Sequence, residues 1–273
     1  MTADSTPCGV LNIDKPAAVT SFDVVARVRR ATGVRRVGHA GTLDPLATGV
    51  LLVCLGRATR AVPYLQEAPK TYLATLRLGQ LTTTYDAEGS LVREVPVPIE
   101  LDVRAFIGLV MQRPPLFSAL KREGRPLYAY ARAGQEVDVP ARQVRIDAID
   151  VVTWEPPTAV LRVRCGKGTY IRSLANDLGG HLTALRREAV GGFRVESALS
   201  LDALAAWENE LVPVEAALAR LPRLALSAEV ALRVSHGQAV DSPAGEVLAT
   251  DATGRAVAIL RDGQPTIVFA PAA

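Results

Sequence analysis

The spacing of apolar positions along the chain changes period several times, and each change marks an element. Gly9 to Ile13 reads as a short strand that ends at Asp14-Lys15-Pro16, because proline lacks the donor that a strand interior needs. Thr20 and Asp23 then have the spacing of a capping box, Phe22, Val25 and Val28 keep near-helical spacing, and Gly33 can supply a left-handed stop, so a helix is predicted between them. Val50 to Leu55 forms an apolar strand, and from Tyr72 to Leu78 the apolar Tyr72, Ala74, Leu76 and Leu78 alternate with Leu73, Thr75 and Arg77, the pattern of a half-buried strand. Leu101 to Met111 predicts a helix closed by Pro114-Pro115, and Pro126 to Arg132 a shorter one with Pro126 in its first turn and Gly134 beyond its end.

Val144 to Trp154 and Val160 to Cys165 predict two more strands. Thr169 can cap a helix whose Ile171, Leu174, Ala175 and Leu178 follow the i, i+3, i+4, i+7 rule, with Gly179 and Gly180 ending it. Helices are predicted around Leu201 to Trp207 and Pro213 to Leu221. From Leu224 onward short strands alternate with turns such as Asp251-Ala252-Thr253-Gly254 and Asp262-Gly263, the texture of a small, mostly β module. The sum is an α+β protein without repeats. Nothing resembles a coiled-coil heptad, so a monomer is expected.

Length and composition narrow the chemistry. The chain has 273 residues, 49% of them apolar, enough for one large domain and one small one. No apolar run approaches the roughly 18 residues that span a bilayer, and Met1 to Val10 lacks a secretory pattern, so the expectation is a cytoplasmic protein with no membrane partner. Cys8, Cys54 and Cys165 form no C-x-x-C pair, and His39, His181 and His236 lack metal-ligand spacing; neither a metal nor another cofactor is expected. The net charge of +3 is compatible with a polyanionic partner but does not require one. Arg27, Arg29, Arg30, Arg35 and Arg36 crowd one stretch, and Arg162 and Arg164 share a strand face; phosphate contacts and plain solvation both fit.

The most unusual stretch is Gly38-His39-Ala40-Gly41-Thr42-Leu43-Asp44-Pro45-Leu46-Ala47-Thr48-Gly49-Val50-Leu51, a glycine-rich loop with one carboxylate. Glycines permit close approach of backbone and substrate, and Pro45 restricts the backbone of Asp44, which helps aim its side chain. By itself an Asp-Pro in a loop is more often just a turn. The segment resembles the active-site motif of the TruB family of bacterial tRNA pseudouridine-55 synthases. Lys70-Thr71-Tyr72, Leu78-Gly79, Ser118-Ala119-Leu120-Lys121, Gly124-Arg125-Pro126-Leu127-Tyr128, Lys167-Gly168-Thr169-Tyr170-Ile171-Arg172 and Leu185-Arg186-Arg187 resemble further blocks of that family in the same order, covering Val10 to Leu204.

The resemblance implies a pseudouridine synthase fold: a central mixed, mainly antiparallel sheet flanked by helices over residues 1–222, with an RNA-binding insertion at about 117–145, and a small PUA-like module over 223–273. It implies isomerisation of uridine-55 in the tRNA T-loop, with Asp44 as the catalytic carboxylate, Arg172 as its guanidinium partner, Tyr72 and Tyr170 as aromatic walls, Leu185 against the base, His39 as an RNA contact and Lys15 as support. Lys121, Arg122, Arg125, Arg132, Arg142 and Arg145 make the insertion basic, as closure over the T-arm would require. Asp86 also matches the end of a family block, but Thr82-Thr83-Thr84-Tyr85-Asp86 departs from the family's common form, in which an acidic residue often stands at the place of Thr83, and this puts a polar contact there in doubt. The competing readings are an RNA-binding protein or RNA folding helper without catalysis, and a hydrolytic glycosidase, which would ordinarily need a second carboxylate. No obligate protein partner is expected.

Overall fold

The computed structural model describes residues 7–118, 120–122, 124–135 and 137–269. In chain order the first half comprises β1 (Gly9–Lys15), α1 (Ser21–Thr32), β2 (Val37–His39), β3 (Thr48–Leu55), α2 (Val62–Glu67), β4 (Lys70–Leu78), β5 (Gln80–Thr82), β6 (Leu91–Glu94) and β7 (Gly108–Gln112). The insertion carries β8 (Lys121–Arg122), β9 (Arg125–Pro126) and α3 (Leu127–Arg132). There follow β10 (Arg142–Glu155), β11 (Thr158–Cys165), α4 (Ile171–Asp177), β12 (Gly180–Val190), β13 (Phe193–Arg194), β14 (Leu199–Ser200) and α5 (Val214–Ala217). The chain closes with β15 (Arg223–Ala225), α6 (Ala228–Ser235), β16 (Glu246–Thr250), β17 (Ala256–Arg261) and β18 (Gln264–Val268).

The main sheet runs β14-β1-β3-β12-β4-β11-β10-β7, with β2 beside β3 and β13 beside β12. Only β1 with β14 and β3 with β12 pair in parallel, so the sheet is mixed and mainly antiparallel. Alternation of buried and half-exposed residues in β4 follows the predicted pattern, with Tyr72, Ala74, Leu76 and Leu78 inward. β3 shows why its sequence is apolar without alternation: Leu51, Val53 and Leu55 enter the core beneath α1 and α4, whereas Val50, Leu52 and Cys54 enter a second core with Leu65, Leu218, Leu248, Ile259 and Phe269. That second core joins the main sheet to the C-terminal sheet, ordered β15-β16-β17-β18. The opposite face of this small sheet packs Val247, Ala249, Val257, Ala258 and Leu260 against Leu226 and Val234.

Several expectations are corrected. Leu101 to Met111 is not a helix: only Arg104–Phe106 makes a 3-10 turn, and Gly108–Gln112 becomes β7 because β10 offers it a partner, pairing Val144 with Val110. The stretch after β14 is a 3-10 helix, Leu201–Glu210, and Pro213 to Leu221 contains only the single turn α5. Phe22 is 70% exposed although the spacing put it on the core face. The capping box of Thr20 and Asp23 forms and Gly33 closes α1 at φ 67°, but the helix turns Ser21, Val24, Val25 and Val28 inward. Thr169 does not cap α4, which starts after Tyr170 without a side-chain cap.

Candidate active site

Asp44 stands in the loop between β2 and β3, and three local devices hold that loop. Lys15, fully buried at the end of β1, donates from Nζ to the carbonyls of Pro16 (2.8 Å), Val19 (2.6 Å) and Pro45 (3.3 Å), using all three ammonium donors. Burial lowers its pKa to about 8, with Asp44 pulling in the opposite direction. Ser21 Oγ donates to Leu43 O (3.1 Å) and accepts from Leu43 N–H (2.9 Å), fastening the residue before Asp44 to the start of α1. Arg187 of β12, 2% exposed, donates to Val50 O (2.6 Å), Gly41 O (3.1 Å) and Thr42 O (3.4 Å). Where loop and sheet meet, Gly49 has φ 99°, and a Cβ there would lie 2.2 Å from Arg187 O, so no larger residue fits.

The carboxylate meets Arg172, which projects from the first turn of α4. Arg172 Nη2 donates to Asp44 Oδ1 at 3.0 Å, and Nε lies 2.9 Å from Oδ2 as an ion-pair contact without hydrogen-bond alignment. The same guanidinium donates to Thr84 O (3.1 Å) and Phe117 O (2.9 Å) and lies 3.5 Å from Asp86 Oδ2. Arg172 and Asp86 are closed off, with side chains 4% and 5% exposed, whereas Asp44 opens to the cleft through 33% of its surface. The dense protein around Asp44 raises its pKa, and Arg172 only partly offsets that effect, aided by Lys15 and opposed by Asp86.

A cleft of about 460 Å³ runs from this ion pair past Tyr72, Tyr170, Leu185 and Lys70, with Ser118 and Leu120 of the insertion at its edge. Tyr72 of β4 is 9% exposed and Leu185 of β12 is 7% exposed; burial raises the Tyr72 pKa, so the phenol stays protonated. Tyr170 is set by Gln112 of β7, whose side-chain amide accepts from Tyr170 N–H (2.8 Å) and donates to Tyr170 O (3.0 Å). The Arg142 guanidinium stands 5.2 Å from the Tyr170 ring centroid. The arrangement therefore offers one ionisable oxygen nucleophile or base, a fixed cation behind it and apolar and aromatic walls large enough for a nucleoside.

Asp44, Tyr72, Tyr170, Arg172 and Leu185 thus gather at one cleft, with Lys15 behind the loop. His39 does not line it: the imidazole sits on β2, its Nδ1 buried without a partner, and burial lowers its pKa, leaving it neutral at pH 7. Asp86, which matches the end of a family block, lies within ion-pair distance of Arg172. Arg187 and Gln112 escaped sequence reasoning as site-builders. Arg187 left a faint signal, a charge at an inward position of a strand between Leu185 and Ala189; Gln112 left none. Of the basic residues, Arg162 pairs with Glu188 at 2.9 Å and Arg164 lies 3.9 Å from Asp147. Ala119 and the side chains of Lys121 and Arg132 lie outside the described residues. Among those described, no three His, Cys, Asp or Glu side chains come together as metal ligands.

Residues 29–171, which include Asp44, Tyr72 and Tyr170, match the family model described as TruB family pseudouridylate synthase, N-terminal domain. The chain belongs to the TruB pseudouridylate synthase family. It is 47% identical over 289 aligned positions to tRNA pseudouridine synthase B of Thermobifida fusca (strain YX), covering 96% of this chain and 98% of that one. With tRNA pseudouridine synthase B of Cupriavidus pinatubonensis (strain JMP 134 / LMG 1197) the identity is 48%, over 84% of this chain and 79% of the other. In three dimensions this TruB family member resembles a chain of an H/ACA RNP bound to a substrate RNA containing 2'-deoxyuridine, with a TM-score of 0.73, 25% identity, and coverage of 97% and 86%. The pseudouridine synthase fold implied by the motifs is the fold observed.

Proposed function

We propose that this TruB family protein isomerises uridine-55 in the T-loop of tRNA to pseudouridine, with Asp44 as the catalytic carboxylate. The observation that carries the reading is the Asp44–Arg172 pair at the head of a nucleoside-sized cleft walled by Tyr72, Tyr170 and Leu185. Cleaving the N1–C1′ bond, turning the uracil and rejoining it through C5 needs no redox step. One carboxylate suffices, whether it attacks C1′ or assists loss of a proton from the sugar. Arg172 keeps Asp44 aimed, and Lys15 and Arg187 keep the loop that carries it in place. A target nucleotide must leave its stack to enter such a cleft, and the tyrosines offer the flat surfaces that receive an extruded base.

In this reading residues 1–222 form the catalytic domain, the insertion at about 117–145 closes on the T-arm, and 223–273 form a PUA-like module that holds RNA farther away. The protein works as a cytoplasmic monomer, and His39 contacts the RNA from its place on β2. A binding-only RNA helper would have no use for a buried cation aimed at one half-open carboxylate. Asp44→Ala on a T-arm stem-loop transcript tests the assignment: pseudouridine formation is expected to vanish while RNA binding persists. Turnover equal to wild type refutes it.

A further inference from the structure

Beside the cleft the insertion holds a hydroxyl that the protein leaves unsatisfied and closed to solvent. Ser118 is 5% exposed and lines the cleft together with Asp44, Tyr72 and Arg172, yet its Oγ has no hydrogen-bond partner among the described residues. Other buried serines are satisfied: Ser21, 3% exposed, bonds both ways with Leu43, and Ser173, 1% exposed, donates to Arg113 O at 2.7 Å. The backbone around Ser118 is held on each side. Its N–H donates to Leu116 O (2.9 Å), its carbonyl accepts from Tyr128 N–H (3.1 Å), and the preceding carbonyl, Phe117 O, accepts from Arg172 (2.9 Å). With the main chain so fixed, the hydroxyl, closed to solvent in the observed rotamer, turns toward the cleft by a change to another staggered rotamer. An unpaired hydroxyl in a protein interior is unfavourable, and alanine would occupy the same space without that penalty.

We infer that Ser118 Oγ is a substrate-contacting group, hydrogen-bonding the uridine that enters the cleft. The inference rests on the proposed reading of the cleft as a nucleotide site. A uridine brings two classes of partner for one donor and two acceptors, the polar edge of uracil and the ribose 2′-hydroxyl. Because Ser118 belongs to the insertion and its neighbour Phe117 is tied to Arg172, the contact would link seating of the nucleotide to the placement of the insertion over it.

The test compares wild type, Ser118→Ala and Ser118→Thr for melting temperature and for kcat/KM on a T-arm stem-loop transcript carrying uridine at the target position. Ser118→Ala is expected to melt at or above the wild-type temperature and to lose about tenfold in kcat/KM, the scale of one neutral hydrogen bond left unmade to a buried group. Ser118→Thr, which keeps the hydroxyl, is expected to recover most of that loss. A transcript with 2′-deoxyuridine at the target assigns the partner: the Ser118→Ala defect disappears if the 2′-hydroxyl is the contact and persists if uracil is. Ser118→Ala within twofold of wild type, a melting temperature that falls along with activity, or Ser118→Thr as slow as Ser118→Ala while melting like wild type, overturns the inference. Failure of the cleft reading itself would be seen separately, as a wild-type protein that leaves the transcript's uridine unchanged.

Discussion

Replacing Arg172 by methionine removes the cation shared by two carboxylates. The wild-type guanidinium lies 2.9 Å from Asp44 and 3.5 Å from Asp86, and it also satisfies the carbonyls of Thr84 and Phe117. At an effective dielectric constant of about 20, each ion contact at roughly 3 to 3.5 Å is worth about 5 kcal/mol, most of which is cancelled by withdrawing three charges from water. Deleting the cation keeps the desolvation and discards the attraction, so the expected loss of stability near neutral pH is about 3–5 kcal/mol. The sign of its pH dependence follows from Asp44. Burial holds its folded pKa above the ordinary 3.8, so ionised Asp44 costs stability above that folded value, and the cost disappears on acidification to 3.8. Without Arg172 the folded pKa rises further. The stability deficit of the variant is therefore largest near neutrality and shrinks as the pH falls. For the same reason, on the proposed catalytic role of Asp44, the acid limb of the kcat/KM profile is expected to follow its ionisation and to move toward neutral pH, with kcat down by about 10²–10³-fold at its optimum. Release of label from C5 of the target uridine, followed from pH 5 to 9 alongside thermal melting, measures both effects. An Arg172→Met protein with the wild-type acid limb and wild-type stability would refute the electrostatic reasoning.

Gly49→Ala is expected to destabilise by about 3 kcal/mol or more, since its Cβ would sit 2.2 Å from Arg187 O at a positive φ; a melting temperature within 2 °C of wild type would contradict this. Lys15→Met leaves the carbonyls of Pro16, Val19 and Pro45 without their shared donor and should slow turnover by loosening the Asp44 loop. Because the folded pKa of Lys15 is lowered from 10.5 to about 8, its charged form costs stability below pH 8. Wild type should therefore gain stability relative to Lys15→Met as the pH rises from about 8 to 10.5, and chemical denaturation across that window would expose the opposite trend.

Local signals carried much of the fold. The capping box at Thr20 and Asp23, the glycine stop at Gly33 and the alternation of β4 are read within a few residues, and each appears as expected, because caps and strand periodicity depend on near neighbours. Leu101 to Met111 failed because its pattern also suits an edge strand, and only the distant Val144 stretch decided which partner was available. Phe22 failed for a related reason: Ser21 has a buried partner in Leu43, and satisfying it turned α1 so that the phenyl ring faces outward.

For the site, the chain alone supplied the identity of the residues that motif resemblance marks: Asp44, Tyr72, Tyr170, Leu185 and Arg172. Beyond Arg172 and Lys15, it did not supply the residues that hold them. Asp86, Gln112 and Arg187 act through bonds spanning 58 to 146 positions or through an ion pair between segments far apart in sequence. Such partners are chosen by which strands lie side by side, and a buried charge or amide must find its partners there because water is excluded. The sequence by itself determined which side chains could carry the chemistry, and the tertiary structure decided what aims them, because burial and distance exist only after the strands have paired.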